Sequence, residues 1–240
     1  MAKKLKVPSL QHLARMSKSD STRVMKQLLA LLENSPTFSY EPLYTLISDM
    51  LVLRTPYDQV VEAVLRKGYR KDVEQRYLDI LPLVKEFFDG HQVTTALPIA
   101  PRYYPLAKDL RVPFSPPMLF FSKGKAIFPW FIFWKSNPLK GESLSLFVTL
   151  VDEILKQDSD LDESKFVIVD LSFDDESDTR ILRVVPAETI SRLSDQRKRE
   201  LLQVFVEGYR LAEASAAQRT RDKENSESEI DPNQLDLYTS

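Results

Sequence analysis

The run Ile127–Trp134, IFPWFIFW, constrains this chain more than any other feature: eight residues, five of them aromatic, with Pro129 the only interruption. A helix needs about 20 apolar residues to cross a bilayer, so this segment is too short for that role. It reads as a strand buried on both faces, and it fixes where the main core lies. Alternation along the strand puts Phe128, Trp130, Ile132 and Trp134 on one face and Ile127, Phe131 and Phe133 on the other. Lys135 follows at once, a charge where a core strand leaves its sheet.

Around this strand the pattern divides the 240 residues into five stretches. Residues 1–20 form a basic, flexible arm, with Lys3, Lys4, Lys6, Arg15 and Lys18 against Asp20 and a short helix near Ser9–Met16. Residues 21–90 are helical throughout. Leu43, Leu46, Ile47, Met50 and Leu51 follow the i, i+3, i+4, i+7, i+8 spacing, and Pro42 stands in that helix's first turn. Thr55-Pro56 opens the next helix, and Gly68 is placed to close it in the left-handed region. Pro82, inside the following helical pattern, predicts a kink or two abutting helices. Residues 91–117 carry six prolines and read as an extended connector pinned by Tyr103, Tyr104 and Phe114.

Residues 118–217 read as ββαββα. Lys123-Gly124 makes a hairpin turn before the aromatic strand. Glu142–Gln157 is an amphipathic helix, Phe166–Phe173 a β-branched strand, and the acidic turn DDESD (Asp174–Asp178) leads to a strand over Arg180–Val185. Ser194 caps a helix that runs to about Ala217. Residues 218–240, with three positive and six negative charges, read as a disordered acidic tail. The expected class is α+β: an all-α helical N-terminal part, then a two-layer ββαββα sandwich on a mostly antiparallel four-stranded sheet.

Composition excludes much chemistry. The chain has no cysteine, which rules out thiolate zinc sites, iron–sulfur clusters and thiol nucleophiles and fits a reducing cytoplasm. Two histidines, His12 and His91, cannot build a His-rich zinc site. Five scattered glycines make no GxGxxG, P-loop or GxSxG motif. The N-terminus has no apolar stretch after its lysines, so it does not read as a secretory signal. A net charge of −2 gives no global attraction to nucleic acid or membrane.

Four groups remain as candidate sites. Asp158, Asp160 and Asp162 have the spacing of an EF-hand start, but Glu163 replaces the turn glycine and Val169 the bidentate glutamate, which leaves a solvated loop. Glu163-Ser-Lys165 has the ExK spacing of PD-(D/E)xK nucleases, and the aromatic strand ending in Lys135 before a helix and a strand resembles that fold. On that reading Lys135 would work with Asp152, Glu153 and Asp170 around magnesium. Glu41–Leu53 and Pro56–Lys67 have helix-turn-helix proportions, with Arg66, Lys67, Arg70 and Lys71 as phosphate contacts. Lastly, Phe128, Trp130, Phe131, Phe133 and Trp134 would bind a partner if one face of the sheet were left open.

The expected function is therefore a non-enzymatic, cytoplasmic interaction or regulatory protein. It has no cofactor, binds a protein partner or a second copy through the aromatic strand, and has no membrane association. The alternative is a nucleic-acid protein, either a helix-turn-helix binder over 41–71 or a magnesium-dependent nuclease.

Overall fold

The computed structural model describes residues 5–17, 20–34, 39–159, 161–174 and 176–228. Its class is α+β. Helices come first, then a mixed, mostly antiparallel sheet. The helices are α1 (Leu10–Met16), α2 (Ser21–Glu33), α3 (Glu41–Leu51), α4 (Tyr57–Arg66), α5 (Lys71–Asp89), α6 (Glu142–Leu155) and α7 (Asp195–Ser228). The strands are β1 (Val93–Leu97), β2 (Arg102–Ala107), β3 (Leu110–Phe114), β4 (Leu119–Ser122), β5 (Lys125–Ile132), β6 (Lys165–Asp170) and β7 (Arg183–Pro186).

The sheet has five strands in the order β1-β4-β5-β6-β7, one more than the expected four. The addition is β1, VTTAL, which leaves the connector to pair antiparallel with β4. Its threonines suit an edge strand half in water. β2 and β3 form a separate hairpin from the same connector. Among the described residues only β5 and β6 pair in parallel, joined through α6, with Ile132 opposite Asp170 at their carboxyl ends.

β5 is the centre of the molecule, and its alternation divides two cores. Phe128, Trp130 and Ile132 pack with α1, α2, α6, α7 and the β2–β3 hairpin. Ile127, Phe131 and Phe133 pack with α3, α4 and α5. The layers are thus helix, sheet, helix. The segment Leu10–Met16, read as part of a loose arm, is built into the first core through Leu10, Leu13, Ala14 and Met16. The rest of that arm includes Lys3, Lys4 and Lys18, which lie outside the described residues.

Local signals explain several boundaries. Lys123 (φ 50°) and Gly124 (φ 73°) are both left-handed, as a two-residue I′ hairpin turn requires. Gly68, at φ 69°, closes α4. Pro82 does not divide α5, which is one helix from Lys71 to Asp89. The proline ring is exposed there, so water can serve the carbonyl that loses its partner. The final strand begins at Arg183, three residues later than expected, because Phe173 and Arg180 form an isolated bridge that closes the acidic turn first. α7 extends to Ser228, past the expected end near Ala217; residues 229–240 of the expected tail lie outside the described residues. No helix among the described residues is long and apolar enough to cross a membrane.

Candidate functional site

The aromatic strand leaves no open face. Phe128, Trp130, Phe131 and Phe133 are all buried. Phe131 and Phe133 meet Tyr44 at 6.4 and 5.3 Å between ring centres, and Phe133 also meets Tyr40 at 5.1 Å. On the other face Trp130 stacks on Phe114 and donates its indole N–H to Gln11 Oε1 at 3.1 Å. Trp134 lies under His12 (5.6 Å) and the Arg15 guanidinium (5.5 Å). The proposed partner surface is the protein's own core, covered by α3–α5 on one side and by α1 with the hairpin on the other.

His12 pays for that position. Burial, aided by the neighbouring Arg15 charge, lowers its pKa from 6.5 to about 4, and Nδ1 has no hydrogen-bond partner among the described residues. Because the folded value lies below the unfolded one, the stabilising contribution is full above pH 6.5 and is lost as pH falls toward 4. Urea titrations should show stability dropping by up to about 3 kcal/mol over that window through this group. A His12→Phe variant should lack that component of the slope.

The four nuclease candidates do not converge. Lys135 lies just beyond the carboxyl end of β5, and Asp170 ends β6 beside it. Asp170 is buried and already held: Asn137 Nδ2 donates to one oxygen at 2.8 Å and the Ser172 N–H to the other at 2.9 Å. Asp152 and Glu153 stand near the far end of α6, about 15 Å along that helix from its start. There Asp152 pairs with Lys156 and Arg192, while Glu153 accepts from the Tyr104 hydroxyl (2.8 Å) and from Lys198. Lys165, of the ExK triplet, pairs with Glu188 at the amino end of β6, and Asp160 lies outside the described residues. No group of three His, Asp or Glu side chains that could hold a metal occurs among the described residues.

The basic group at the α4–α5 corner is exposed. Arg66 pairs with Glu62 on its own helix and Arg70 with Asp72, while Lys67 and Lys71 stand in solvent beside them. α3 and α4 are separated by Val52–Pro56, a longer break than the two residues expected, in which Arg54 takes a φ of 57° and donates to the Thr94 carbonyl on β1.

A cleft of about 360 Å³ opens between α5 and the carboxyl ends of the two parallel strands. Asp72, Gln75, Arg76 and Asp79 line one wall, spaced i, i+3, i+4, i+7 so that α5 presents them as a single stripe. Tyr40 enters from the turn before α3, its hydroxyl donating to the Phe133 carbonyl at 2.8 Å. Lys135, Phe173, Asp178 and Arg180 form the other wall. In open sheets with parallel strands, the carboxyl ends are where ligands characteristically bind.

Arg180 ties this end of the sheet together. Its Nη1 donates to the Leu171 carbonyl at 2.6 Å and to the Trp134 carbonyl at 3.4 Å, and its guanidinium lies 4.7 Å from the Phe173 ring centre. Burial pulls its pKa down, and the Arg76 charge adds to the effect. Lys135 also overlies Phe173, at 5.5 Å. It is 80% exposed and its ion pair with Asp178, 86% exposed, spans 3.8 Å. That distance is too long for a hydrogen bond. The wall thus offers one cation fixed in place and one that is free to turn toward a ligand.

Sequence reading singled out Lys135 but missed Arg76, Phe173, Asp178, Arg180 and Tyr40 as its neighbours. The α5 stripe was the one local sign of a polar wall. No known protein-family model matches this chain, and no curated protein matches it in sequence.

Proposed function

We propose that this chain is a cytoplasmic, non-enzymatic interaction or regulatory protein that recognises an anionic group on a protein partner, and that it does so through the cleft rather than through the aromatic strand. One observation carries the reading. Cations from three separate chain segments, Arg76, Lys135 and Arg180, line one cleft at the carboxyl ends of the parallel pair. Lys135 is also 80% exposed, and its ion pair with Asp178 spans 3.8 Å. Burial of both faces of β5 supports the choice, because it removes the competing apolar surface. The absence of cysteine is what supports a reducing compartment.

The nucleic-acid reading keeps one supporting feature, the exposed corner of Arg66, Lys67, Arg70 and Lys71, whose lysines face water. The magnesium-dependent nuclease has less support, since its carboxylates point to opposite ends of the sheet and are engaged by other side chains.

Equilibrium dialysis with radiolabelled inorganic phosphate tests the cleft. Saturable binding is expected, and Lys135→Ala should weaken it about tenfold, the loss of one charge-assisted contact. Binding unchanged in that variant, or abolished only by changing the four corner residues together, would favour the nucleic-acid reading. Duplex DNA shifted in a salt-dependent way, or cut when magnesium is added, would do so directly.

A further inference from the structure

The acidic turn beside the cleft has an arrangement that bears on which anion enters. Its backbone is closed on itself: Phe173 and Arg180 bridge, and the Asp174 N–H donates to the Thr179 carbonyl at 2.8 Å. The two end carboxylates have different fates. Asp174 turns inward, accepting from Arg183 at 2.9 Å and from the Ser177 hydroxyl at 3.2 Å. Asp178 projects into the cleft mouth toward Lys135. The cleft's other carboxylates are engaged along α5: Asp72 by Arg70 and Asp79 by the Gln75 amide at 2.8 Å. Asp178 is therefore the carboxylate that an entering anion must displace.

Resting on the anion-cleft reading above, we propose that Asp178 is a built-in competitor for Lys135, which sets a threshold of affinity that a phosphate monoester meets and a monocarboxylate does not. A group tethered by a short turn competes as though present at roughly millimolar concentration. A free monocarboxylate offers Lys135 nothing that Asp178 does not already supply, so it gains little by replacing it. A phosphate monoester carries about −1.5 to −2 charges at neutral pH and three acceptor oxygens. It can engage Lys135 together with the guanidiniums behind it and so outcompete the turn. The Asp178 contact is long and exposed, as a displaceable competitor must be; a short buried pair would lock the site.

The test repeats the phosphate dialysis with Asp178→Asn and with Glu176→Gln, which removes the same charge from the same turn at an exposed position away from the cleft lining. Asp178→Asn should tighten inorganic phosphate roughly two- to fivefold, the range of one exposed ion pair, and should let acetate compete where it does not in the unaltered chain. Glu176→Gln should change either affinity much less. A short phosphoserine peptide should bind at least as well as inorganic phosphate if the phosphate is protein-borne. Equal tightening by both variants would mean a general charge effect and overturn the proposal, as would acetate competing equally in the unaltered chain. Phosphate binding that Asp178→Asn leaves unchanged would overturn the competitor while leaving the cleft reading intact. No phosphate binding in any of the three proteins would overturn both.

Discussion

Trp130→Ala lowers the stability of this protein by about 3–5 kcal/mol, the loss of a large buried aromatic and the cavity it leaves. Trp130 is 6% exposed and sits between Phe114 and Phe147, with ring centres 5.3 and 5.2 Å away. It also anchors α1 through Gln11. Trp130→Phe should cost less, about 1–2 kcal/mol, because it keeps most of the stack and forfeits the indole hydrogen bond. Chemical denaturation measures both. The result also separates two roles for the aromatic strand. A residue that served mainly as a partner surface would lose binding on truncation and leave stability nearly unchanged.

Gly208→Ala is destabilising, by about 1–3 kcal/mol, even though alanine is the better helix former by about 1 kcal/mol. Gly208 lies where α7 crosses α2. A Cβ built there would sit 2.5 Å from the Val24 Cβ and 2.7 Å from the Ser21 carbonyl oxygen. A flexible side-chain tip could move aside, but a backbone carbonyl and a Cβ cannot do so without shifting the helix. The crossing would open, and with it the packing of Val24 and Leu28 against Phe205 and Tyr209 in the first core. A gain in stability of the size expected from helix propensity alone would contradict so close a crossing.

These two residues also mark what the sequence makes legible. The alternation of β5 is readable because strand periodicity is local, and the faces it predicts for Phe128, Trp130, Phe131 and Phe133 match the two cores. The I′ turn at Lys123-Gly124 and the helix end at Gly68 are readable for the same reason: each depends on one or two residues in the left-handed region. β1 is not readable in this way. Its VTTAL is short, with two threonines exposed at its centre, and only its place against β4 makes it a strand. The burial of α1 is hidden by the charges on either side of a seven-residue helix. Gly208, within a helical pattern, was the single sign of the α2–α7 crossing, but a lone glycine does not say which helix approaches.

The cleft was the least legible feature. Its lining comes from residue 40, from 72–79, from 135 and from 173–180, brought together by the sheet and α5. No spacing in the sequence links Arg76 to Arg180. Lys135 stood out because a charge ending an aromatic strand is conspicuous, but reading it as a metal-site lysine required Asp152 and Glu153 nearby. The direction of α6 carries both away, since a crossover helix returns to the amino end of the next parallel strand.

The most direct test of the cleft is a backbone amide NMR titration of the intact protein with inorganic phosphate. The account predicts saturable shifts confined to Ser136, the turn around Phe173–Thr179 and the first turns of α5, with their common midpoint moved about tenfold higher in Lys135→Ala. Shifts centred instead on Arg66–Lys71, or none that saturate, would contradict it.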